Sequence, residues 1–250
     1  MAESKSAIER GGFGSTMRRD AWWLELLPVV LILGAFSVYA TWRAFEGAYF
    51  EWGPYLSPFY SPLLKPRWWP FSPAILILWG PLGFRATCYY YRKAYYRAFF
   101  LDPPACAVGE PRSHSYRGET AFPLILQNVH RYFLYVALVF LIILWYDAIR
   151  AFWFEGHFGI GMGSLVLLAN IVLLSLYTFS CHSLRHIVGG NLDCFSCVAF
   201  GHPRRTTWQA ASFLNEHHML FAWLSLFSVG LSDLYIRLVA TGSIHDLRLL

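Results

Sequence analysis

The stretch FLYVALVFLIILW, residues 133–145, contains no charged side chain and decides the fold class. A helix needs about 20 mostly apolar residues, each rising about 1.5 Å, to cross a hydrocarbon core about 30 Å thick. The apolar run around this stretch meets that length and predicts a membrane-spanning helix. Working outward from it, the sequence predicts five such helices, at residues 22–43, 72–99, 122–154, 160–187 and 208–240.

The composition agrees with a membrane protein over the whole chain. Of the 250 residues, 56% are hydrophobic and 14% are charged, whereas soluble globular proteins contain about 25% charged residues. This balance argues against a soluble enzyme, and it excludes a disordered chain, which needs low hydrophobicity and high charge. The sequence pI near 9.0 is explained by basic flanks on membrane helices and requires no nucleic-acid partner.

The predicted fold is a single all-α membrane domain of five transmembrane helices over residues 21–240. A cytoplasmic segment, residues 1–20, precedes it, and a tail, residues 241–250, follows it. Lys and Arg are more frequent on the flanks that lie inside when the N-terminus is inside, which predicts an N-in, C-out topology. The polar connections 101–121 and 188–207 then face the cytoplasm, where a soluble partner would dock.

Cys and His side chains inside the predicted helices cluster in the inner half of the membrane. Such groups are costly in hydrocarbon, so each is a candidate functional residue. The outer half contains no comparable set of Cys and His. The clustered residues, with the arginine among them, are Cys88, His130, Cys181, His182, Arg185, His186, His217 and His218.

Helical spacing predicts which of these side chains share a face. His182 and His186 are four residues apart and therefore lie on one face. His217 and His218 are adjacent and point about 100° apart, so only one of them can face a given site. Asn215 lies one turn before His218 and is expected to orient the His218 imidazole through a hydrogen bond.

Cys and His from several helices suit three kinds of cofactor site. A haem b needs two axial histidines, and His130 with either His186 or His218 would serve. A zinc ion takes four Cys or His ligands in a tetrahedron. A Rieske-type 2Fe–2S cluster takes two cysteines and two histidines, and Cys88 and Cys181 match that ratio. The residues alone leave haem open, because a buried cysteine is also an ordinary small apolar side chain.

The remaining cysteines and the arginines add further expectations. Five cysteines in a chain of this size do not form a disulfide framework, so thiols or metal ligands are expected. Cys194 and Cys197 with His202 have zinc-like spacing but lack a second ligand pair. Three arginines inside the predicted helices each need a partner, such as Glu216, a haem propionate, a negatively charged cluster or a quinone oxygen. They are Arg85, Arg131 and Arg185.

Several motifs resemble a known family. The sequence SLRHI at 183–187 resembles the Gly-Ile-Arg-His-Leu core in the membrane anchors of succinate dehydrogenases and fumarate reductases. Longer motifs resemble the five-helix anchor of the actinobacterial type, from about residue 20 to the C-terminus. They are TCYYYRKAYYR at 87–97, PPACA at 103–107, FPLILQNVHRY at 122–132, CHSLRH at 181–186 and HMLFAW at 218–223.

The resemblance implies a function that the composition does not show. It implies a multi-pass subunit of the bacterial cytoplasmic membrane that anchors a flavoprotein and an iron–sulfur subunit. Electrons from succinate would pass through the anchor to a quinone in the lipid, and the anchor itself would do no chemistry on succinate. In haem-bearing anchors an axial histidine lies seven residues before the histidine of the Arg-His pair, a position that is Phe179 here.

The resemblance to the actinobacterial type implies a Rieske-type 2Fe–2S cluster in place of haem, which agrees with Phe179. Its expected ligands are Cys88, Cys181, His130 and His218, with His182, His186 and Cys106 in reserve. The expected quinone-binding residues are Arg85, Tyr89, Arg131, Arg185, His182 and His186.

Two rival functions stay open. One is a haem b-containing, quinone-reactive anchor, which differs only in its cofactor. The other is a transporter or channel without a redox role, since intramembrane Arg and His can mark an ion path. Against the transporter, the polar residues occupy one half of the membrane, and the sequence shows no sign of paired broken helices.

Overall fold

The structure is a computed structural model that describes residues 16, 18–99 and 125–250. Within those residues, four helices are long and apolar enough to cross a membrane. They are Trp22–Glu46, Asn128–Arg150, Met162–Phe179 and His218–Ala240. The chain is therefore a mostly helical membrane protein, as its apolar runs predict.

Helices dominate the described residues, with two small hairpins between them. A 3-10 turn, Trp22–Glu25, leads into the first helix, a second, Pro58–Tyr60, follows the first hairpin, and a π turn, His186–Gly190, follows α7. In chain order the elements are α1 (Leu26–Glu46), β1 (Glu51–Trp52), β2 (Tyr55–Leu56), α2 (Pro73–Ile77), α3 (Trp79–Thr87), α4 (Tyr89–Phe99), α5 (Leu126–Arg150), β3 (Trp153–Phe154), β4 (His157–Phe158), α6 (Met162–Phe179), α7 (His182–Arg185), α8 (Gly201–Glu216) and α9 (His218–Ala240).

Three of the predicted membrane helices are interrupted, which corrects the expectation of continuous spans. Residues 72–99, 160–187 and 208–240 leave the helical conformation at Cys88, Cys181 and His217 respectively. His218 is consequently the first residue of α9 and does not lie several turns inside a longer helix. Hydropathy cannot reveal such breaks, because it reports the polarity of side chains and carries no information about backbone dihedral angles.

The helix breaks also bear on the alternative function of a transporter. The breaks at Cys88 and Cys181 are paired, with nearly identical backbone angles, so the expectation of no paired broken helices is wrong. Broken helices in membrane proteins place irregular backbone where it lines an internal site. The two breaks therefore indicate an internal site between the C-terminal ends of α3 and α6.

Two antiparallel hairpins, β1–β2 and β3–β4, define what we call the hairpin end of the bundle. The C-terminal residues close this end, because the Leu249 N–H donates to the Ile160 carbonyl at 2.7 Å. The Asp246 carboxylate accepts hydrogen bonds from the hydroxyls of Tyr55 at 2.7 Å and Tyr235 at 2.6 Å. Burial raises the pKa of Tyr55 to about 12, and its hydrogen bond to Asp246 acts in the same direction.

A buried ion pair ties α1 to α9 near the hairpin end. Arg43 and Asp233 are both 0% exposed, and the Arg43 Nε donates to Asp233 Oδ2 at 2.7 Å. The other Arg43 donors bond Glu46, the Ala48 and Tyr49 carbonyls and the second Asp233 oxygen. All five guanidinium N–H groups are satisfied, which is what a buried arginine requires. Sequence reasoning missed this pair, because Arg43 lies at the edge of an apolar run.

Close packing sets the position of α3 against α5. A Cβ added at Gly83 would lie 2.0 Å from the Phe133 ring, and one added at Gly80 would lie 2.9 Å from Val136. Small residues allow membrane helices to approach closely. This contact brings the C-terminal end of α3, which carries Thr87, next to His130 of α5.

Candidate functional site

The centre of the candidate site is built on the two helix breaks. Cys88 has φ −64° and ψ 133°, and Cys181 has φ −63° and ψ 133°. Each cysteine N–H still donates to the carbonyl three residues earlier, and each cysteine carbonyl accepts from the N–H four residues later. The two turns therefore have the same hydrogen bonds as well as the same dihedral angles. Both side chains are free thiols and are buried.

Each buried thiol contacts one buried imidazole. The Cys181 Sγ lies 3.2 Å from His130 Nε2, and the Cys88 Sγ lies 3.5 Å from His218 Nε2. Cys88 and Cys181 belong to the same cluster of buried side chains, together with Phe84 and Tyr177, so the two pairs share one small region. The four residues predicted as the preferred metal ligands are thus brought together from four separate helical segments.

Two hydroxyl groups determine which imidazole nitrogen faces sulfur. The Thr87 hydroxyl donates to the Gly83 carbonyl at 2.7 Å and therefore accepts from His130 Nδ1 at 2.8 Å. The Ser180 hydroxyl donates to the Tyr177 carbonyl at 3.0 Å and likewise accepts from His218 Nδ1, at 2.6 Å. A hydroxyl has only one proton to give, so both imidazoles carry theirs on Nδ1. Both Nε2 atoms then present a lone pair, which is the arrangement of a metal-ligating histidine.

The arrangement is reciprocal between the two pairs. Thr87 precedes Cys88 in the chain but holds the histidine that contacts Cys181. Ser180 precedes Cys181 but holds the histidine that contacts Cys88. Each break in a helix therefore supplies one sulfur to its own pair and one orienting hydroxyl to the other pair. A shift of either break would disturb both pairs at once.

The structure also decides between the two adjacent histidines of the fifth predicted span. His218 is 3% exposed, whereas His217 is exposed and does not contact either thiol. Asn215 does not bond the His218 ring as expected. Its side-chain amide donates to the Ser180 carbonyl at 2.7 Å instead. Asn215 therefore acts on His218 indirectly, because it positions Ser180, whose hydroxyl bonds the His218 ring.

Aromatic rings enclose the two imidazoles. Phe84 stacks on His130 with ring centroids 4.8 Å apart and an angle of 8° between the planes. Tyr177 stacks on His218 at 5.1 Å and 19°, and Tyr90 lies 5.3 Å from the same ring. Sequence reasoning missed Tyr177, whose only signal was its position one helical turn before Cys181. These rings keep water away from the thiols and imidazoles.

Neither of the described reserve ligands, His182 and His186, joins this centre. His182 is exposed, and His186 lies 3.2 Å from an Arg131 nitrogen. Arg185 donates to the Ser212 hydroxyl at 2.7 Å and lies over the Trp208 ring at 5.1 Å. Cys106 lies outside the described residues. The fourth-span residues 182–186 thus form a separate, more exposed basic group.

The expectation of thiols or metal ligands is wrong for two of the remaining cysteines. Cys194 and Cys197 form a disulfide, so they are neither free thiols nor zinc ligands with His202. The spacing alone could not separate a disulfide from a metal-ligand pair. Among the described residues, moreover, no three or more His, Cys, Asp or Glu side chains are grouped so as to hold one metal ion. The buried centre consists of two cysteines and two histidines, in contact as two Cys–His pairs.

Arg85 lies beside this centre and borders a large cavity. Its guanidinium donates to the Tyr91 hydroxyl at 2.5 Å and to the Ser225 hydroxyl at 3.1 Å, and it lies 4.8 Å from the centre of the Tyr177 ring. The cavity has a volume of about 760 Å³ and an almost entirely apolar lining that includes Arg85, Tyr91 and Tyr177. Among the predicted quinone-binding residues, Arg85 is the one that lines it; Tyr89 and Arg131 are exposed at the surface.

Comparisons with known proteins identify the family. Residues 24–242 match the family described as actinobacterial succinate dehydrogenase subunit SdhC. The chain is also similar to a chain of a solved structure, the Mycobacterium smegmatis Sdh1 complex in the apo form. The two are 46% identical, the match covers 98% of each chain, and the TM-score is 0.84. No curated protein matches the chain. The chain therefore belongs to the family of actinobacterial succinate dehydrogenase membrane subunits.

Proposed function

We propose that this succinate dehydrogenase membrane subunit transfers electrons to quinone by means of a Rieske-type 2Fe–2S cluster held by Cys88, Cys181, His130 and His218. The observation that carries the proposal is the pair of buried thiol–imidazole contacts, in which each Nε2 atom faces a sulfur. Two cysteines and two histidines are the ligand set of such a cluster. When bound, the cluster supplies a one-electron relay between a soluble subunit and quinone.

The thiols and imidazoles suit a 2Fe–2S cluster because neighbouring side chains favour the protonation states and the charge that it needs. Metal binding needs deprotonated thiols and neutral imidazoles, and the hydroxyls of Thr87 and Ser180 already favour the neutral Nδ1–H tautomer. Ligating histidines commonly donate their other N–H to an oxygen acceptor, which fixes the ring orientation. The nearby Arg85 guanidinium offsets the negative charge that two thiolates bring into a region of low dielectric.

A haem b explains fewer of these contacts. It would use two histidines and leave both buried cysteines without a role. The Phe179 position, where haem-bearing anchors have an axial histidine, is exposed. Haem b therefore ranks behind the cluster as a cofactor.

The 760 Å³ cavity is the proposed quinone site. Its apolar walls suit an isoprenoid tail, and Arg85 is a charged donor that could hydrogen-bond a quinone oxygen. Arg85 cannot donate a proton chemically, because a guanidinium stays protonated in proteins. The Tyr91 hydroxyl is committed to the Ala222 carbonyl, which leaves Arg85 as the principal hydrogen-bond donor at that wall.

Membership of the family makes other succinate dehydrogenase subunits the partners of this chain. We infer that they are the flavoprotein and iron–sulfur subunits, and that they dock on the cytoplasmic side of a bacterial inner membrane. That side would be the end of the bundle opposite the hairpins, where α8 presents the exposed residues His202, Arg205 and Gln209. This orientation is N-in and C-out, with the interrupted segment α2–α4 as the fifth crossing of the membrane.

Spectroscopy on the purified complex tests the cofactor. We expect the dithionite-reduced complex to show a Rieske-type electron paramagnetic resonance (EPR) signal and no haem bands in visible absorption. His130→Ala and His218→Ala should each abolish the signal and quinone reduction, while succinate oxidation with an artificial acceptor continues. His217→Ala is the matched control, because this neighbouring histidine is exposed and contacts neither thiol. Quinone reduction that survives both substitutions would refute the proposal, and haem bands without the signal would favour haem b.

A further inference from the structure

Tyr177 is the buried polar side chain at the site that the proposed function does not yet use. It lies in the last turn of α6, is 1% exposed, and packs between the rings of His218 and Phe84. Tyr177 and Cys88 belong to the same cluster of buried side chains, and the Tyr177 ring lies on His218, whose Nε2 faces the Cys88 sulfur. Among the described residues the Tyr177 hydroxyl has no hydrogen-bond partner, although water cannot reach it.

A tyrosine hydroxyl that is this well buried and has no hydrogen-bond partner is unusual. Tyrosine hydroxyls that are buried normally find a partner, because a lone buried polar group loses its hydrogen bonds to water without replacement. The adjacent Cys88 is a poor acceptor as long as it is a neutral thiol whose proton faces His218 Nε2. A metal-bound cysteine is a thiolate, and its sulfur is a much better acceptor. The hydroxyl is thus placed where a partner arises only when a metal group binds.

The quinone cavity offers a second possible partner, since the Tyr177 ring forms part of its wall. The hydroxyl oxygen itself, however, is inaccessible, whereas a hydroxyl that bonds quinone must be exposed to the cavity. Tyr177 instead packs against a Cys–His pair, with its ring on His218 and in the same buried cluster as Cys88. The sulfur is therefore the partner that the packing favours.

We propose that the Tyr177 hydroxyl donates a hydrogen bond to the Cys88 sulfur of the loaded protein and thereby raises the reduction potential of the bound cluster. The inference rests on the proposed function and names the residue that adjusts it. A hydrogen bond to a ligand sulfur favours the more negatively charged, reduced state, and such bonds are among the determinants of iron–sulfur potentials. Tyr177 is a positioning and tuning residue in this account, since it touches a ligand and not the quinone.

The test is a redox titration of the complex followed by EPR. Tyr177→Phe keeps the ring that stacks on His218 and removes only the hydroxyl. We expect the variant to retain the signal and the g-values, with the reduction equilibrium shifted at least tenfold toward the oxidised form. For one electron this is a fall in midpoint potential of about 59 mV. Tyr135→Phe, at an exposed tyrosine of α5, is the matched control and should leave the potential unchanged.

The possible results separate the role of Tyr177 from the proposed function itself. A Tyr177→Phe potential equal to that of the unsubstituted complex would overturn the inference while leaving the proposed function intact. Absence of any Rieske-type signal from the unsubstituted complex would overturn the proposed function first. If the variant assembled too little cluster to titrate, pulsed EPR of the unsubstituted complex after exchange into D₂O would decide. A strongly coupled deuteron with the orientation of a hydroxyl donor supports Tyr177, and its absence refutes the inference.

Discussion

The Ser180 hydroxyl accepts a hydrogen bond from His218 Nδ1 at 2.6 Å, although Ser180 lies directly before the cysteine of the other Cys–His pair. The Thr87 hydroxyl stands in the same relationship to His130, at 2.8 Å. The two helix breaks are thus coupled, because each one orients a histidine that contacts the sulfur of the other. Changes at either hydroxyl are expected to affect the whole centre.

Removal of the Thr87 hydroxyl should impair cofactor loading. Thr87→Val keeps the side-chain shape but leaves the His130 Nδ1–H without its acceptor. Substitution of groups that orient a metal ligand typically lowers metal affinity or activity about 10- to 100-fold. We expect a matching loss of iron per complex and of EPR amplitude. Thr206→Val, at an exposed threonine of α8, is the control, and an unchanged iron content in Thr87→Val would contradict the role of this hydroxyl.

The packing of α3 against α5 should resist any added side chain at Gly83. Gly83→Ala would place a methyl group 2.0 Å from the Phe133 ring, so the two helices must separate or the ring must move. Such overpacking costs about 1–3 kcal/mol, and the shift would also draw Thr87 away from His130. Thermal unfolding in detergent and iron content are the measurements. Gly34→Ala is the control because its new Cβ meets nothing within 4 Å, and equal stability of both variants would show that the contact is not tight.

Breaking the buried ion pair should cost far more stability than breaking an exposed one. Asp233→Asn leaves the Arg43 charge buried with a weaker partner, and breaking a buried pair costs about 3–5 kcal/mol. The comparison is Lys65→Met, which breaks the exposed Lys65–Glu51 pair at 3.6 Å and is expected to cost about 0–1 kcal/mol. Free energies of unfolding for the two variants provide the check. Similar losses in both would mean that Glu46, which already bonds Arg43, is sufficient to hold the buried charge.

Arg85 should matter for quinone and not for succinate. Arg85→Gln removes a charged donor, and a hydrogen bond from a charged group is worth about 1.5–3 kcal/mol. We therefore expect the KM for quinone to rise about tenfold or more, since each 1.4 kcal/mol is about a factor of ten. Succinate oxidation with an artificial acceptor should be unaffected. Arg97→Gln, at an exposed arginine of α4, is the control, and an unaltered quinone KM in Arg85→Gln would place the quinone elsewhere.

Part of the candidate site could be predicted without coordinates. Cys88 and Cys181 were distinguished by their position inside apolar runs, and His130 by its place in a matching motif. The choice of His218 over His217 needed the structure. The sequence cannot tell which of two adjacent histidines faces the site, whereas the packing buries only His218. Arg131, Arg185, His182 and His186 are predicted at a similar depth in the membrane, but none of them lines the cavity proposed for quinone.

The sequence by itself determined the class of protein and the set of candidate ligands. Long apolar runs predict membrane helices because the cost of polar groups in hydrocarbon is a local property of each residue. Only the tertiary structure decided where the helices break, which hydroxyl holds which histidine, and that Arg43 meets Asp233. The side-chain contacts join residues 38 to 190 positions apart, and they depend on backbone angles and on packing between helices. Neither is encoded in the hydropathy of a single stretch, so the geometry of the centre emerges only when the helices pack together.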